Sequence, residues 1–361
     1  MYNVEEFIAD STLMTTLRDA VSNPGEGGVL RSAKLKITPR CNLRCRMCSY
    51  WKYKAQSEMS PERLMSIVDE FKSTGVRKIH ISGGEPMIVP HLFDFIERSS
   101  KNKIRINLTT NGTLVDNEKA KALVKAGARS VSVSIDGPDA KTHDGIRGVP
   151  GAFKKAVAAI EKLARARERY GGRKKMRIRV NTVLQRPNWR DLPDIIKLAG
   201  ELGVDEVHPM PVDPKDKTQL IKKSEIKDFI HCITPEAETL RIKYGFSISP
   251  LLLYPFGKTK EDVRFSVDGR YARGFFEENL CYVPWLHMFV AWDGSVYPCC
   301  MTRGRVVPLG NLSEQSVEEV FYGDGYAELR KSFVKSRLPD CARCDNFLYE
   351  NRLLAEAFEN V

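Results

Sequence analysis

The sequence predicts an α/β fold: a partial (β/α)6 barrel of the TIM type, followed by a small C-terminal domain built from a β-hairpin and a helix. Six short apolar segments alternate with amphipathic helical segments between residues 33 and 211, which is the pattern of parallel strands joined by helices. From Cys281 the pattern changes to two strand-like segments around Asp293-Gly294, a dipeptide typical of hairpin turns. A helix predicted over residues 316–333 completes the C-terminal domain.

The elements of the barrel follow in order along the chain. Strands are predicted over residues 33–38, 78–82, 104–109, 130–135, 176–183 and 206–211, with helices between them, including 61–73 and 116–126. Gly75, Gly127 and Gly203 stand just after three of these helices, where C-terminal caps favour glycine. The predicted organisation is a helix and loop over 1–32, the barrel over 33–214, a helical connection over 215–275 and the C-terminal domain over 276–361. In barrels of this type functional side chains gather at the C-terminal ends of the strands.

Composition limits the possible partners. The 361 residues include 57 Lys and Arg against 46 Asp and Glu, which gives a net charge of +11. The basic residues are spread along helical segments such as 161–175 without an aromatic-and-basic RNA motif, so a nucleic-acid partner is not expected, whereas an anionic substrate fits the charge. The sequence has no run of about 18 apolar residues and no signal peptide, so we expect a cytoplasmic protein without a membrane segment.

Eight of the nine cysteines fall into two groups, and the odd count without a secretion signal favours metal ligation over disulfides. Cys41, Cys45 and Cys48 follow the first predicted strand with the spacing Cys-x3-Cys-x2-Cys. Three thiolates within eight residues can wrap one 4Fe-4S cluster and leave one iron open. A structural zinc site would need a fourth ligand, and none lies close in sequence.

This cysteine motif, placed just after a first barrel strand, resembles that of the radical S-adenosylmethionine (SAM) superfamily, and the resemblance extends over residues 33–213. It implies that the amino and carboxyl groups of SAM chelate the open iron, and that reductive cleavage gives a 5′-deoxyadenosyl radical that removes hydrogen from a substrate. It also implies an electron donor such as a flavodoxin or ferredoxin with its reductase. Met47 stands where the family usually has an aromatic residue, and an apolar side chain there can still pack on adenine.

The strand ends carry the other motifs of this resemblance. Gly83 and Gly84 follow the second strand and let the backbone approach a ligand, while the Glu85 carboxylate beside them can accept from an ammonium group. This GGEP sequence resembles the family's site for the methionyl amino group. Asn111, after the third strand, is either part of an Asn-Gly turn or a cofactor neighbour.

The later strands add four expected contacts to SAM. Ser134 and Arg147 match positions that bind the cofactor in related maturases, and a hydroxyl and a guanidinium suit its ribose or carboxylate. Asn181 and Val212 stand at later strand ends and serve either the cofactor or the structure. His143 is expected to be a loop side chain satisfied locally.

The second cysteine group resembles the C-terminal SPASM or twitch extension, which binds auxiliary 4Fe-4S clusters. Because the last part of the full SPASM cysteine pattern is absent, the resemblance implies one auxiliary cluster, with ligands Cys281, Cys299, Cys341 and Cys344. Cys300 can replace Cys299 as ligand, donate a hydrogen atom, or pack as a small hydrophobic residue, which is the preferred interpretation.

The ninth cysteine and the net reaction are less constrained. Cys232 lies in the apolar stretch FIHCIT, where core packing is expected. An auxiliary cluster can accept the electron of a substrate radical, which favours net oxidation of a small molecule such as an amino sugar or an aminocyclitol. Candidate bases for that oxidation are His208, Asp213 and His287. The alternatives are peptide or protein modification, epimerisation with Cys232 or Cys300 returning a hydrogen atom, and a simple electron carrier.

Overall fold

Six parallel strands form the barrel wall in the computed structural model, which describes residues 3–53, 57–171, 176–213, 216–248 and 250–359. The strands are β1 (Ser32–Lys36), β2 (Lys78–Ser82), β3 (Arg105–Thr110), β4 (Ser130–Ser134), β5 (Arg177–Leu184) and β6 (Glu206–Pro211). Each pairs in parallel with its neighbour in chain order. The predicted fold class, a partial TIM-type barrel, is therefore confirmed.

Helices connect these strands. They are α1 (Val4–Ile8) and α2 (Ser11–Ser22) before the barrel, then α3 (Pro61–Ser73), α4 (Leu92–Lys101), α5 (Asn117–Lys125), α6 (Ala140–Arg147), α7 (Ala152–Tyr170) and α8 (Leu192–Glu201). The start of α3 is fixed by Ser60, whose hydroxyl accepts from the Arg63 N–H at 3.2 Å. Gly75, Gly127 and Gly203 have φ angles of +93°, +84° and +66°, as expected for the caps that end α3, α5 and α8.

The two faces of the wall differ in polarity. Leu35 and Ile79 are buried in the main hydrophobic cluster with the helices, and successive strand residues point to opposite faces. The inner face carries Lys34, His80 and Asn107, which are partners in register on β1, β2 and β3. A polar inner face leaves a cavity within the barrel in place of a packed apolar core.

The C-terminal strands extend the same sheet. They are β7 (His287–Val290), β8 (Ser295–Tyr297) and β9 (Gly310–Asn311), and β7 pairs in parallel with β1 while β8 and β9 pair antiparallel. The hairpin forms around Gly294, which has a φ of +83°. Its first strand begins only at His287, because residues Val283–Leu286 form a helical turn, α14, with a proline in its first turn.

The predicted helix over 316–333 is in fact two helices. They are α15 (Val317–Phe321) and α16 (Asp324–Lys335), and the final helix is α17 (Leu348–Glu359). Gly323 precedes α16 in an extended conformation, with φ −80° and ψ 176°, and this separates the two helices.

The connection between barrel and C-terminal domain is helical, as predicted. It contains α9 (Lys223–Asp228), a π-helical turn (Phe229–Ile233), α10 (Thr234–Tyr244), α11 (Pro250–Leu253), α12 (Lys260–Val267) and α13 (Phe275–Glu278). The predicted domain boundary at 214–215, and residues 172–175 of the basic segment, lie outside the described residues. No helix within the described ranges is long and apolar enough to span a membrane.

Candidate active site

The three-cysteine loop leaves the C-terminal end of β1 and is held by backbone bonds to the end of α6. The Arg44 N–H donates to the Arg147 carbonyl at 3.1 Å, and the Arg46 N–H donates to Ile146 at 3.0 Å. The sulfurs also have donors of their own: the Leu43 N–H lies 3.5 Å from Cys41 Sγ, and the Tyr50 N–H lies 3.4 Å from Cys48 Sγ. N–H groups aimed at sulfur suit thiolates that share negative charge with a cluster.

The glycine turn after β2 packs directly on the chain that enters this loop. The Gly84 N–H donates to the Thr38 carbonyl at 2.7 Å, and the Glu85 N–H donates to the Arg40 carbonyl at 2.8 Å. A Cβ on Gly84 would lie 2.0 Å from that Arg40 oxygen, so only glycine fits. Gly83 has a φ of +146°, and a Cβ there would lie 2.4 Å from the Thr38 carbonyl oxygen.

Glu85 ties the glycine turn to the end of β3. Its carboxylate is fully buried and accepts from the Thr110 hydroxyl at 2.6 Å, the Asn111 N–H at 2.7 Å and the Met87 N–H at 3.1 Å. Burial raises the pKa of Glu85, while these donors oppose the rise. The carboxylate therefore positions the turn, and its contact with an ammonium group stays a prediction.

Asn111 belongs to the same anchoring system. Its amide donates to the Asn42 side chain, within the cysteine loop, at 2.9 Å, and its oxygen accepts from the Thr113 N–H at 2.9 Å. Asn111 therefore forms the predicted Asn-Gly turn after β3 and also supports the cysteine loop.

Arg147 lies between a buried carboxylate and a cysteine. Its Nη2 is 2.7 Å from Asp136 Oδ2, and its Nη1 is 3.8 Å from Cys45 Sγ. Burial opposes its charge, but Asp136 and Cys45 raise the pKa of Arg147 overall, so it stays cationic. Asp136 also accepts from the Val183 N–H at 2.8 Å. Sequence reasoning did not select Asp136, although it stands in the same Ser-Ile-Asp-Gly motif as Ser134.

His143 differs from the expectation of a locally satisfied loop side chain, because it lies inside α6 and its buried Nε2 has no hydrogen-bond partner among the described residues. Its Nδ1 accepts from the Asp136 N–H at 3.1 Å, and its ring packs on Phe153. Burial and the nearby Arg147 lower the pKa of His143 to about 3, so the ring is neutral.

The second group of cysteines surrounds an apolar space. Cys281, Cys299, Cys341 and Cys344 all line one small cavity, together with Phe276, Phe333 and Phe347. Burial raises the pKa of each of these four thiols. Within the described ranges no three His, Cys, Asp or Glu side chains lie close enough to bind a single metal ion. The four cysteines instead surround a small cavity that they line with thiol groups.

Cys300 does not line that cavity. It is half-buried and packs beside Phe289, Ala291 and Tyr297. This placement favours Cys299 over Cys300 as the fourth ligand.

The inside of the barrel forms a larger cavity of about 370 Å³. Five cationic side chains line it: Lys34, Lys36, Lys78, Arg179 and Arg273. The two arginines have acidic partners, Glu206 for Arg179 and Asp262, at 3.8 Å, for Arg273. The three lysines make no ion pair within 4 Å in the described part of the chain.

The surrounding protein alters the protonation of two of these lysines, Lys36 and Lys78. Burial, with Lys34 adding to the effect, lowers the pKa of Lys36 to about 7. Burial, with Arg179 adding to the effect, lowers the pKa of Lys78 to about 8. Asp345 and Glu350, from the C-terminal segment, also line the cavity, and the Glu350 carboxylate opposes the lowering of the Lys78 pKa. Sequence reasoning missed these lysines, although the alternation of Lys34 and Lys36 around Leu35 was a signal of an inward cationic face.

The predicted catalytic candidates are dispersed. His208 lines the barrel cavity, and burial with Arg179 lowers its pKa to about 4. Asp213 follows β6 by two residues, does not line the cavity and lies 3.8 Å from Arg305. His287 is fully buried, with its Nδ1 2.8 Å from the Ser32 hydroxyl, and it does not line the cavity.

Cys232 corrects an expectation from the sequence. It is exposed on the π-helical turn, so the prediction of core packing is wrong, and it does not line the barrel cavity. Ile226, Phe229 and Ala237 are buried on one side of this helical stretch, and Cys232 lies with the exposed His231 on the side that faces solvent. Of the remaining predicted contacts, Asn181 lines the cavity, Ser134 is buried at the end of β4, and Val212 is buried with its N–H bonded to Leu184.

A partial barrel whose first strand runs into a three-cysteine loop defines an iron–sulfur enzyme. The family model described as the Radical SAM superfamily matches residues 35–172, and the SPASM model, described as an iron-sulfur cluster-binding domain, matches residues 281–345. The chain belongs to the radical SAM superfamily and carries a C-terminal SPASM domain. It is therefore a radical SAM enzyme, and its domains imply a SAM-binding 4Fe-4S cluster and an auxiliary cluster.

Curated relatives cover several named activities. The chain is 28% identical over 322 residues to the AdoMet-dependent heme synthase of Methanosarcina barkeri, covering 86% of this chain and 87% of that one. Matches to two further proteins of that name cover only 43% and 53% of their lengths. The sporulation killing factor maturation protein SkfB of Bacillus subtilis is 24% identical, over 80% of this chain and 64% of that protein.

Solved structures show the same fold. Streptococcus suis SuiB bound to S-adenosylmethionine superposes with a TM-score of 0.66 at 16% identity, over 95% of this chain and 78% of that one. The protein anSMEcpe with bound AdoMet and a peptide superposes with a TM-score of 0.60 at 21% identity, over 88% of this chain and 86% of that one.

Proposed function

We propose that this radical SAM enzyme oxidises an anionic small molecule held inside the barrel. The observation that carries the proposal is the excess of positive charge in the cavity lining, where Lys34, Lys36 and Lys78 form no ion pair within 4 Å in the described ranges and only two carboxylates, Asp345 and Glu350, line the same space. A buried amine without a partner is costly, and a carboxylate or phosphate of a ligand would relieve that cost. A cationic aminocyclitol would add to the repulsion, so the lining favours an acid over an amino sugar.

The two clusters have distinct places in this proposal. Cys41, Cys45 and Cys48 would hold the SAM-binding cluster at the C-terminal end of β1, and Cys281, Cys299, Cys341 and Cys344 would hold the auxiliary cluster. The N–H donors to sulfur at the first site and the shared apolar cavity at the second support this assignment. Bound SAM would supply the radical that removes hydrogen from the substrate.

The protein's own residues would orient SAM around the first cluster. Gly83 and Gly84 bring the backbone close, and polar groups are offered by Ser134 at the end of β4, Arg147 at the end of α6 and Asn181 within β5. Arg147 already pairs with Asp136. We therefore assign it first to holding Cys45 and the loop in place, and only second to the SAM carboxylate.

Inside the cavity, His208 is the best-placed of the predicted bases. It lines the cavity as a neutral imidazole, whereas Asp213 is paired with Arg305 and His287 lies outside the cavity. A neutral imidazole can accept a proton from a substrate hydroxyl as the substrate radical is oxidised.

Modification of a peptide is the second candidate. SkfB is named a sporulation killing factor maturation protein, and another relative is named a PqqA peptide cyclase. Asp345 and Glu350 also line the cavity with the lysines, and a lining of both charges would suit a zwitterion. The heme synthase names add a carboxylated tetrapyrrole to the anionic candidates.

Substrate-stimulated release of 5′-deoxyadenosine separates these candidates. The reconstituted enzyme is supplied with SAM and dithionite, then with sugar acids, sugar phosphates, a carboxylated tetrapyrrole, aminocyclitols or peptides. We expect stimulation by an acid, with KM raised about tenfold or more in Lys36→Met, the loss of one charge-assisted contact. Lys154→Met, on the exposed side of α7, is the matched control. Stimulation only by peptides, or only by aminocyclitols, would overturn the proposal.

A further inference from the structure

A second cationic surface lies on the outside of the C-terminal domain. It is a groove of about 600 Å³ between the 270–277 segment and the 335–342 segment. Arg270, Lys335 and Arg337 stand around it, and Phe276 and Leu338 contribute its apolar floor. None of these residues takes part in the barrel cavity.

The groove shares a wall with the cavity of the second cysteine group. Cys341 and Phe276 line both the outer groove and the inner cavity. Cys341 is only half-buried, whereas Cys281 and Cys344 are buried. A cluster held by these cysteines would therefore be separated from the groove by a single ligand and one aromatic ring.

The charges around the groove are arranged for a partner. Lys335 is exposed at the C-terminal end of α16 and makes no ion pair in the described ranges. Arg337 is fixed by its Nε, which donates to the Asn279 carbonyl at 3.1 Å. Arg270 and Glu277 form an ion pair and cancel each other's charge, so Lys335 and Arg337 leave the groove with a net positive charge. A small apolar floor with a charged rim is the kind of surface that transient electron-transfer partners use.

We propose that an acidic one-electron carrier protein of the ferredoxin class docks on this groove and exchanges an electron with the auxiliary cluster through Cys341. The inference deepens the proposed function, because an oxidation that leaves one electron on the auxiliary cluster needs an acceptor for each turnover. The reduced cluster gives up one electron, the oxidised ferredoxin gains it, and no proton or atom is transferred.

The test uses the holoenzyme without substrate, so that it is independent of the proposed oxidation. Enzyme reduced with dithionite and freed of excess reductant is mixed with an oxidised, acidic 2Fe-2S ferredoxin in a stopped-flow spectrometer. Rapid-freeze electron paramagnetic resonance identifies which cluster loses its electron. Lys335→Glu and the milder Lys335→Gln are compared with Lys154→Glu, which makes the same charge change on the exposed side of α7.

We expect Lys335→Glu to slow the second-order electron transfer about tenfold at low ionic strength, as removal of a rim charge does, with Lys335→Gln between it and the wild type. The difference should shrink as salt screens the groove. Equal rates in Lys335→Glu and Lys154→Glu, or first oxidation of the other cluster, would overturn the proposal. If no acid stimulated release of 5′-deoxyadenosine, these electron-transfer rates would not change, because they are measured without substrate. The two proposals can therefore be refuted independently.

Discussion

Arg147 holds Asp136 through a 2.7 Å contact between Nη2 and Oδ2, and both side chains are buried. The same guanidinium reaches Cys45 Sγ at 3.8 Å. This pair connects the end of β4 to the cysteine loop, so the geometry of the loop depends on an ion pair that forms between α6 and the strand end.

Removing Arg147 should therefore damage the loop as well as any binding of SAM. Arg147→Ala leaves the Asp136 carboxylate buried without its partner, and we expect a loss of about 3 kcal/mol in the free energy of unfolding. Iron content should fall from about eight toward about four per chain, the loss of one 4Fe-4S cluster. Lys141→Ala, on the exposed face of the same helix, is the control. Full iron content and unchanged stability in Arg147→Ala would show that the residue serves only the cofactor.

The adjacent cysteines of the hairpin allow a matched test of the auxiliary ligands. Cys299→Ala removes a thiol that lines the shared cavity, and we expect about four irons instead of about eight. Cys300→Ala should keep both clusters, because its thiol lies outside that cavity. Iron and sulfide analysis with electron paramagnetic resonance measures the result, and the reverse pattern would exchange the two assignments.

The same substitution to alanine should have opposite effects on stability at two glycines near the three-cysteine loop. Gly84→Ala places a Cβ 2.0 Å from the Arg40 carbonyl oxygen, so the turn must move and the first cluster should be lost. Gly145→Ala, inside α6, meets no atom within 4 Å and should raise stability by about 1 kcal/mol. Visible absorption of the reconstituted variants and thermal unfolding report the two outcomes. A Gly84→Ala protein with both clusters would contradict the close packing of the turn.

The lowered pKa of Lys78 should make the stability of the fold depend on pH. Its pKa is lowered from 10.5 to about 8 in the fold, so between these values the unfolded chain binds more protons than the native state. The free energy of unfolding should therefore rise with pH over this window, by up to about 1.4 kcal/mol per pH unit from this group. Lys78→Met should be more stable than the wild type at pH 7 and should lack that part of the rise. Urea unfolding at pH 7.5 and pH 10 measures the slope, with Lys154→Met as control, and equal slopes in all three proteins would contradict the burial of an unpaired amine.

The sequence predicted the barrel well because its signals are local. Alternating strands, helices such as Pro61–Ser73 and glycines at helix ends depend on neighbouring residues, and the structure has them where they were expected. The parallel pairing of β7 with β1 was not predicted, because it joins residues about 255 apart with no local signal.

The candidate site likewise has parts that local sequence predicts and parts that depend on tertiary structure. The three-cysteine loop and the glycine turn are contiguous motifs, and the sequence identified them directly. The lysines of the barrel cavity come from two strands, β1 and β2. Only the register of these strands brings the lysines together, because it pairs Lys34 with His80, which lies two residues after Lys78 on β2. Exposure also depends on tertiary packing, which is why the apolar surroundings of Cys232 gave the wrong prediction for that thiol.

In the proposed reaction, a radical formed from SAM removes hydrogen from an acid bound among these lysines. The most direct measurement is turnover of the anaerobic holoenzyme with SAM, dithionite and a deuterated sugar acid or other acid that stimulates cleavage, followed by mass spectrometry. We expect deuterium in 5′-deoxyadenosine and a product lighter than its substrate by the two hydrogens of one oxidation. Deuterium transfer from a peptide or an aminocyclitol, with every acid unlabelled and unchanged, would contradict it.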